Sequence, residues 1–371
     1  MRYLFLVLYS AFFFSCNMIE EDNTSILEDD YFYIGTYTNG ESEGIYKFKL
    51  SAEGILDSIG LVAKSDNPSF LAFSKDKRYL IACNEINTVE ENGTVESFKV
   101  LENNLELITT SSSGGAHPCF VNIDEEGTVL VTNYTGGNVG LLKLNKDGGL
   151  SELLDVQQHI GRIINNRQYN AHAHSAWFIP NSNKIISVDL GTNELLFSEI
   201  IDNKSIIAPI TNKLLMEEGA GPRHLSIHSQ GWIYVVNELN STVSLVVKNG
   251  DGIYKIKNSI STLPDNFKGE SYCADIHISY DEKFLYASNR GDNSIVVFSI
   301  NKTNGMLTTV SIHSVKGNWP RNFSLSPNGK FLLVANQKSN NITSFLRDEI
   351  TGKLTFVDKI NAPTPVCLLF E

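Results

Sequence analysis

Six side chains able to bind anions or transfer protons occur beside apolar segments that the chain repeats. They are His172, His174, Arg223, Glu238, Arg290 and Arg321. Arginine presents a planar fork of N–H donors that suits a phosphate or carboxylate group. A carboxylate or an imidazole that reaches a bound water molecule can act as a general base. If the fold brings these side chains together, they can hold an anionic substrate and move a proton.

The repeated segments predict the elements that would position these residues. Each unit reads as an apolar strand, a short polar turn, a second apolar strand and then Asn, Asp or Thr. These landmark residues are Thr36, Asn84, Asn133, Asp189, Asn237, Asn289 and Asn336. They recur roughly every 50 residues, as propeller blades do, and no segment shows the 3.6-residue period of helical repeats. The pattern therefore predicts an all-β, seven-bladed β-propeller with four antiparallel strands per blade.

The end of the chain is expected to close the ring. Its segment PVCLLF matches the opening strand of other units, such as PSFLAF, and would supply the first strand of the blade that begins at Tyr31. Closure protects strand edges that an open array would leave unpaired. With 42% hydrophobic residues the chain can bury the core of such a body, and we expect one propeller domain over residues 31–371.

Blade geometry predicts where the candidate residues lie. The start of each first strand neighbours the end of the second strand, so both places form one ring around a mouth of the central channel. Early units carry plain residues there, whereas later units carry Arg223, Glu238, Arg290 and Arg321. Glu85 stands where Glu238 stands, in a unit without arginine, and we expect it to be solvated. We predict a site on one side of the mouth; the alternative is a set of ion pairs that only caps it.

Other residue types offer weaker alternatives. His172 and His174 share a face of an extended segment and could form half of a metal site, but no carboxylate or histidine obviously completes it. No GxSxG segment indicates a serine nucleophile, and we expect neither a metal nor a cofactor. Four cysteines fall in predicted strands and are expected to be small buried thiols rather than disulfides: Cys83, Cys119, Cys273 and Cys367.

The charge balance and the N-terminus bear on partners and location. With 30 basic and 42 acidic residues the net charge is −12, which argues against nucleic acid or an anionic membrane surface as a partner. Residues 1–16 combine Arg2, an apolar run and Ser15-Cys16, and they predict an export signal that resembles those of bacterial lipoproteins.

In this interpretation Cys16 is the lipidated residue and residues 17–30 form a flexible acidic tether. The protein would then lie in the cell envelope as an outer-membrane lipoprotein, on the periplasmic or surface side, with the lipid as its only membrane contact. The alternative is an ordinary signal peptide in which Cys16 has no special role.

Ordered motifs along the chain resemble those of a known family. They are YIGTYT near Tyr33, then QHIG, RQ and HAHS, followed by GAGPRHL, VNELNSTV, ADIHIS, LYASNRGDNSI and WPRNFSLSPNGKFLLVANQKS. Over nearly its whole length the chain is similar to the seven-bladed propeller lactonases, which include 6-phosphogluconolactonases and fungal 3-carboxy-cis,cis-muconate lactonizing enzymes. It departs from them at Asn170-Ala171, where relatives often carry Pro, and in its export signal.

The resemblance implies a propeller that hydrolyses a sugar-derived lactone in the manner of 6-phosphogluconolactonase. The functional positions it implies are His172 or His174, Arg223, Glu238 and Arg290, with Arg167 and Arg321 as further anion contacts. We expect the arginines to hold a small anionic or sugar lactone while Glu238, or else a histidine, activates water. The export signal favours an unphosphorylated or uronic lactone. The alternatives are a non-catalytic exported binding module and a cycloisomerase of the muconate type.

Overall fold

Short apolar strands joined by polar turns build the described structure, as the repeat predicts. The computed structural model describes residues 29–371 with the exception of 88–91, 162–163, 203 and 208–211. The predicted signal at residues 1–16, its Cys16 and most of the predicted tether lie outside the described residues. Over the described part of the chain, the strands form seven antiparallel sheets, and each sheet is one blade of a propeller. The prediction of an all-β, seven-bladed propeller is confirmed.

The strands follow one another with little other secondary structure. The first eleven are β1 (Asp30–Thr36), β2 (Gly44–Leu50), β3 (Leu56–Lys64), β4 (Pro68–Phe73), β5 (Tyr79–Asn84), β6 (Thr94–Val100), β7 (Leu105–Ser112), β8 (Pro118–Ile123), β9 (Thr128–Asn133), β10 (Asn138–Lys143) and β11 (Asp155–Gln158). The next nine are β12 (Ala173–Phe178), β13 (Lys184–Asp189), β14 (Glu194–Ile201), β15 (Ser205–Ile207), β16 (Lys213–Leu215), β17 (Pro222–Ile227), β18 (Ile233–Asn237), β19 (Thr242–Lys248) and β20 (Tyr254–Ser261). The last nine are β21 (Tyr272–Ile278), β22 (Phe284–Arg290), β23 (Ser294–Ile300), β24 (Leu307–Ser314), β25 (Pro320–Leu325), β26 (Phe331–Asn336), β27 (Asn341–Arg347), β28 (Leu354–Asn361) and β29 (Pro365–Phe370). A single turn of 3₁₀ helix spans Gln337–Ser339, and no helix of the described residues is long and apolar enough to cross a membrane.

The C-terminal strand closes the ring. The first blade has the order β29-β1-β2-β3, so its inner strand comes from the end of the chain. Phe370 lies opposite Phe32, and Leu368 lies opposite Ile34. The predicted closure is therefore confirmed. The remaining blades begin with the inner strands β4, β8, β12, β17, β21 and β25.

The fourth blade differs from the others at its outer edge. Its third strand, β14, pairs with β15 along Glu199–Ile201 and with β16 along Glu194–Leu196. Two strands of three residues therefore occupy the place of the single outer strand found in the other blades.

Apolar side chains pack mainly between neighbouring blades. Among the described residues, seven buried clusters each join two adjacent sheets. Tyr234 of β18 and Phe298 of β23 are completely buried in the cluster between the fifth and sixth blades. Burying a large apolar side chain contributes about 1.5–3 kcal/mol, so these clusters hold the inner strands in register. As predicted, the cysteines in these strands are buried and unpaired: Cys83, Cys119, Cys273 and Cys367.

A β-bulge at the start of the inner strands prepares one end of the channel. In the fifth blade the register shifts between Pro222 and His224, and in the seventh it shifts between Pro320 and Asn322. The residue between each pair, Arg223 or Arg321, has no opposite residue in the pairing with the second strand. Because a bulge bends the strand and redirects a side chain, the repeat presents corresponding side chains at the same end of the propeller.

Candidate active site

The backbone fixes a ring of side chains where the inner strands begin and the second strands end. The N–H of Glu238 donates to the carbonyl oxygen of Gly221 at 2.7 Å, and the N–H of Glu85 donates to that of Asn67 at 2.9 Å. We call the residues at or just after the ends of the second strands the mouth ring. They are Tyr37, Glu85, Tyr134, Leu190, Glu238, Arg290 and Gln337. The bulge residues beside them include His174, Arg223 and Arg321.

Three arginines converge on the carboxylate of Glu238, and we call these four residues the Glu238 cluster. Arg167 Nη2 lies 2.8 Å from Oε1, and Arg290 Nη2 lies 2.7 Å from Oε2. Arg223 Nε approaches Oε2 to 3.1 Å as a charge contact, without the alignment of a hydrogen bond. Glu238, Arg223 and Arg290 are buried, whereas the side chain of Arg167 is about half exposed. The cluster therefore contains three positive charges and one negative charge.

Glu238 stays ionised in this environment. Burial alone would raise the pKa of its carboxyl group, but Arg290, Arg223 and Arg167 outweigh burial and lower the pKa to about 2. Burial, followed by the charge of Arg290, lowers the pKa of Arg223 to about 10, which leaves Arg223 charged at neutral pH. Because both carboxylate oxygens are occupied and their basicity is low, Glu238 is well suited to holding the arginines in place.

Backbone carbonyl groups of the sixth blade fix two of these arginines. Arg290 donates from Nη2 to the carbonyl oxygen of Cys273 at 3.0 Å and from Nε to that of Tyr272 at 3.3 Å. Arg223 donates from Nη1 to the carbonyl oxygen of Ala274. These contacts hold the two guanidinium groups before any anion binds, which is the arrangement that stabilises developing negative charge most effectively.

His172 has a fixed ring orientation beside Tyr134, whose hydroxyl group is hydrogen-bonded to Arg167 of this cluster. Its imidazole stacks on the ring of Tyr134, with centroids 4.5 Å apart and planes inclined by 13°. Its Nδ1 lies 3.0 Å from the carbonyl oxygen of Tyr134, and its backbone N–H donates to Asp189 Oδ1 at 2.9 Å. A carbonyl oxygen can only accept, so we assign the Nδ1–H tautomer, which leaves Nε2 with a free lone pair.

His174 is buried at the start of β12, the inner strand of the fourth blade. Its Nδ1 is 3.7 Å from Cys119 Sγ, and its ring meets that of His224 edge to face at 5.3 Å. Burial, Arg223 and His224 hold the pKa of His174 well below its usual value, so the ring is neutral at pH 7. The metal site considered for His172 and His174 lacks further ligands: among the residues with described positions, no group of three or more His, Cys, Asp or Glu could hold an ion.

Aromatic rings and a buried carboxylate close the channel beneath the mouth. His224 reaches across the axis to Phe70 and Phe120, with centroid distances of 5.9 Å and 5.3 Å. Asp275 Oδ1 lies 2.8 Å from His224 Nδ1, and Asp275 Oδ2 also accepts from Asn322 at 2.5 Å. Burial and Arg223 lower the pKa of His224 to about 4, so this floor carries a neutral imidazole at neutral pH.

Arg321 belongs to a second group of residues on the seventh, first and second blades. Its Nη2 lies 3.6 Å from Glu85 Oε2, which is longer than a hydrogen bond, and its guanidinium lies 5.1 Å from the ring centre of Tyr37. The hydroxyl of Tyr37 donates to Glu85 Oε2 at 2.7 Å. We call these three residues the Glu85 group.

The structure supports some of the predicted positions and corrects others. Arg223, Glu238 and Arg290 meet as expected, and Arg167, which the residue pattern did not single out, joins them from the loop before the fourth blade. The prediction that Glu85 is merely solvated was wrong, because Tyr37 and Arg321 hold it at the mouth. The early blades are not plain either: they contribute Tyr37, Glu85 and Tyr134.

One signal for these early contributors was available in the sequence. Tyr37, Glu85 and Tyr134 follow the landmark residues directly, as Glu238 does, so the repeat alone places them in the ring. The channel floor was harder to predict from the sequence, because His224 and Asp275 belong to different blades and meet only in the folded chain.

Comparisons with known proteins identify the family of the chain. The family profile described as "Lactonase, 7-bladed beta-propeller" matches residues 31–370. A 6-phosphogluconolactonase of Bacillus subtilis is 34% identical over 345 residues, which cover 91% of this chain and 97% of the relative.

Solved structures give the same result. The putative 6-phosphogluconolactonase of Bacteroides fragilis superposes with a TM-score of 0.86 at 32% identity, covering 94% of this chain and 100% of its own. The periplasmic gluconolactonase of Pseudomonas aeruginosa superposes with a TM-score of 0.87 at 29% identity, covering 92% of this chain and 99% of its own. The chain therefore belongs to the seven-bladed β-propeller lactonase family and is a lactonase.

Proposed function

We propose that the chain hydrolyses a sugar-derived lactone at the mouth ring, where the Glu238 cluster holds the acyl end of the substrate. The observation that carries this proposal is the excess of positive charge in that cluster, where three guanidinium groups share one carboxylate. Negative charge that develops on the lactone carbonyl oxygen would meet donors already in place. Arg223 and Arg290 would contact that oxygen, and Glu238 would position them.

Among the three candidates for the general base, we favour His172. The carbonyl of Tyr134 fixes its tautomer so that Nε2 can accept a proton, and stacking fixes the plane of its ring. Burial and neighbouring positive charges hold the pKa of His174 well below its usual value, which makes that imidazole a poor proton acceptor. Glu238 was the first choice for the base from the sequence, but its arginine neighbours lower the pKa of its carboxyl group to about 2 and contact both of its oxygens.

The reaction then follows in two steps. Water attacks the carbonyl carbon, a C–O bond forms, and His172 Nε2 takes one proton from the water. The tetrahedral oxyanion, stabilised by Arg223 and Arg290, collapses and breaks the bond between the carbonyl carbon and the ring oxygen. The ring oxygen takes the proton back from His172, which gives an open-chain hydroxy acid and restores the enzyme.

Two alternatives use the same residues differently. A muconate-type cycloisomerase would need the base but no hydrolytic water, and a binding module would need the arginines but no turnover. Relatives called 6-phosphogluconolactonase among both sequences and structures favour hydrolysis over either alternative.

The activity test uses the full chain and three substrates: glucono-1,5-lactone, its 6-phosphate and a muconolactone. We expect acid release from at least one sugar lactone, a loss of roughly 100-fold or more in kcat for His172→Asn, and a comparable loss for Arg223→Ala. Product analysis separates hydrolysis from isomerisation. Absence of turnover on all three substrates, or full activity of both variants, would contradict the proposal.

We also propose that the chain is exported and anchored through Cys16. The Pseudomonas aeruginosa neighbour is described as periplasmic, so export is compatible with this fold. Expression in a bacterium fed a labelled fatty acid should label the wild-type chain and leave Cys16→Ala unlabelled. Equal labelling of both proteins, or of neither, would contradict lipidation at this residue.

A further inference from the structure

We propose that Glu85 acts as a charge filter at the mouth, so that the lactonase prefers substrates whose far end carries neutral hydroxyl groups over the corresponding phosphate esters. This inference rests on the proposed function and adds the class of substrate. It assigns a specificity role to a residue on the second blade, on the side of the channel away from the fifth blade that carries Glu238.

The first step is the division of charge at the mouth. The Glu238 cluster has three positive groups and one negative group, so it retains positive charge for the carbonyl oxygen and the product carboxylate. In the Glu85 group, by contrast, one carboxylate faces one guanidinium, and the charges cancel. Only the first of these two places is therefore prepared for an anion.

The second step is that the Glu85 group is open to a ligand. The side chains of Glu85 and Arg321 are each 17% exposed, and the 3.6 Å between Arg321 Nη2 and Glu85 Oε2 leaves both groups able to take further hydrogen bonds. A sugar hydroxyl can donate to a carboxylate and accept from a guanidinium at the same time. A phosphate dianion can only accept, so it gains from Arg321 but is repelled by Glu85.

The third step is that Tyr37 keeps the carboxylate in place. Its hydroxyl donates to Glu85 Oε2 at 2.7 Å, and its ring lies against the Arg321 guanidinium. Burial holds the pKa of Tyr37 well above its usual value, so the hydroxyl stays a donor over the working range. An approaching phosphate therefore meets a fixed negative charge rather than one free to turn away.

The fourth step concerns the residues that lie between the two places. His174 is the bulge residue of the fourth blade, between the second blade with Glu85 and the fifth with Glu238, and its ring meets those of Tyr134 and His224 at 5.5 Å and 5.3 Å. Its Nδ1 lies 3.7 Å from Sγ of Cys119, the bulge residue of the third blade. A lactone whose carbonyl contacts Arg223 would extend its remaining carbons over His174 and Cys119 towards Glu85.

The test compares kcat/KM for glucono-1,5-lactone with kcat/KM for its 6-phosphate. We expect the wild type to prefer the unphosphorylated lactone, and Glu85→Gln to shift the ratio towards the phosphate by on the order of 10-fold. Glu85→Ala is a second neutral variant, and Glu85→Asp keeps the charge and should keep the preference. Glu106→Gln removes an exposed carboxylate on β7 and should leave the ratio unchanged.

A second measurement separates failure of this inference from failure of the proposed function. Calorimetric binding of D-gluconate and 6-phosphogluconate requires no turnover, and the same shift in the ratio of Kd values is expected for both neutral variants. An unchanged ratio in Glu85→Gln and Glu85→Ala, in turnover or in binding, would overturn the charge filter while leaving lactone hydrolysis intact. Absence of turnover together with a shifted binding ratio would instead reject only the proposed reaction.

Discussion

Glu238 on the fifth blade and Glu85 on the second blade occupy the same place in the repeat. Both follow a landmark Asn, and both donate their backbone N–H to the residue before the inner strand. Their surroundings differ: three arginines surround Glu238, whereas Glu85 has one arginine at 3.6 Å and a tyrosine hydroxyl at 2.7 Å. The same backbone position thus yields a carboxylate that holds three arginines on one side of the mouth and a carboxylate that faces a single arginine on the other.

This difference shows how a repeated fold acquires a directional site. The blades supply equivalent places, and the chemistry of each place depends on which residues the neighbouring blades bring to it. Arg223 and Arg321 illustrate the point, because both are bulge residues that follow a proline. Arg223 lies against Glu238 and the sixth blade, whereas Arg321 lies against the first and second blades.

Neutralising the two carboxylates gives the largest expected contrast. Glu238→Gln leaves three guanidinium groups without their shared counter-charge, and breaking a buried ion pair in this way costs about 3–5 kcal/mol of unfolding free energy. Glu85→Gln removes a partly exposed and loosely paired group and should cost about 1 kcal/mol or less. Urea unfolding of both variants beside the wild type measures the difference; equal losses would remove the distinction between the two sites.

Acid unfolding tests the same contrast through the pH dependence of stability. The folded-state pKa of Glu238, about 2, lies below its ordinary value of 4.5, so its ionised form stabilises the fold above pH 4.5. As the pH falls from 4.5 towards 2, this contribution of about 3 kcal/mol is lost. Glu238→Gln should lack this part of the pH dependence, whereas Glu85→Gln should keep it. Parallel pH profiles for wild type and Glu238→Gln would contradict the ionised, paired state.

The two bulge arginines should differ by a smaller amount. Arg223→Ala leaves a buried carboxylate with one charge fewer and a carbonyl oxygen of β21 without its donor, which should cost about 2–3 kcal/mol. Arg321→Ala removes a looser ion pair and a contact with the Tyr37 ring, and should cost about 1 kcal/mol. Thermal and urea unfolding compare the pair, and a larger loss for Arg321→Ala would reverse the assignment of the two sides.

The smallest expected effect concerns the hydroxyl that holds Glu85. Tyr37→Phe keeps the ring beside Arg321 but removes the hydrogen bond, which is worth about 1 kcal/mol. Tyr33→Phe serves as the control, because it removes a buried hydroxyl that has no hydrogen-bond partner among the described residues. A cost for the control equal to that for Tyr37→Phe would show that the bond to Glu85 contributes nothing specific.

Much of this architecture could be predicted because its signals are local. Strand, turn and strand recur within about 20 residues of one another, and each landmark residue marks the end of a second strand. The closing strand was also predictable, since PVCLLF repeats the opening pattern of the other units and pairs with β1 as expected.

The partners within the ring were less predictable because they come from blades that are distant along the chain. Glu85 contacts Arg321 of the seventh blade, and Arg167 reaches Glu238 from an irregular loop that the repeat does not include. A pattern of strands specifies where a side chain begins, but the length and direction of an arginine side chain determine which carboxylate it reaches.

The sequence by itself determined the number of blades, their closure and the places at which side chains enter the mouth, because hydrophobic alternation and turn residues act over short distances. Only the tertiary structure decided how charge is divided there. Closing the ring brings the seventh blade beside the first, so that Arg321 reaches Tyr37 and, across the mouth, Glu85. Glu238 instead meets three guanidinium groups, from the fifth blade, the sixth blade and the loop before the fourth.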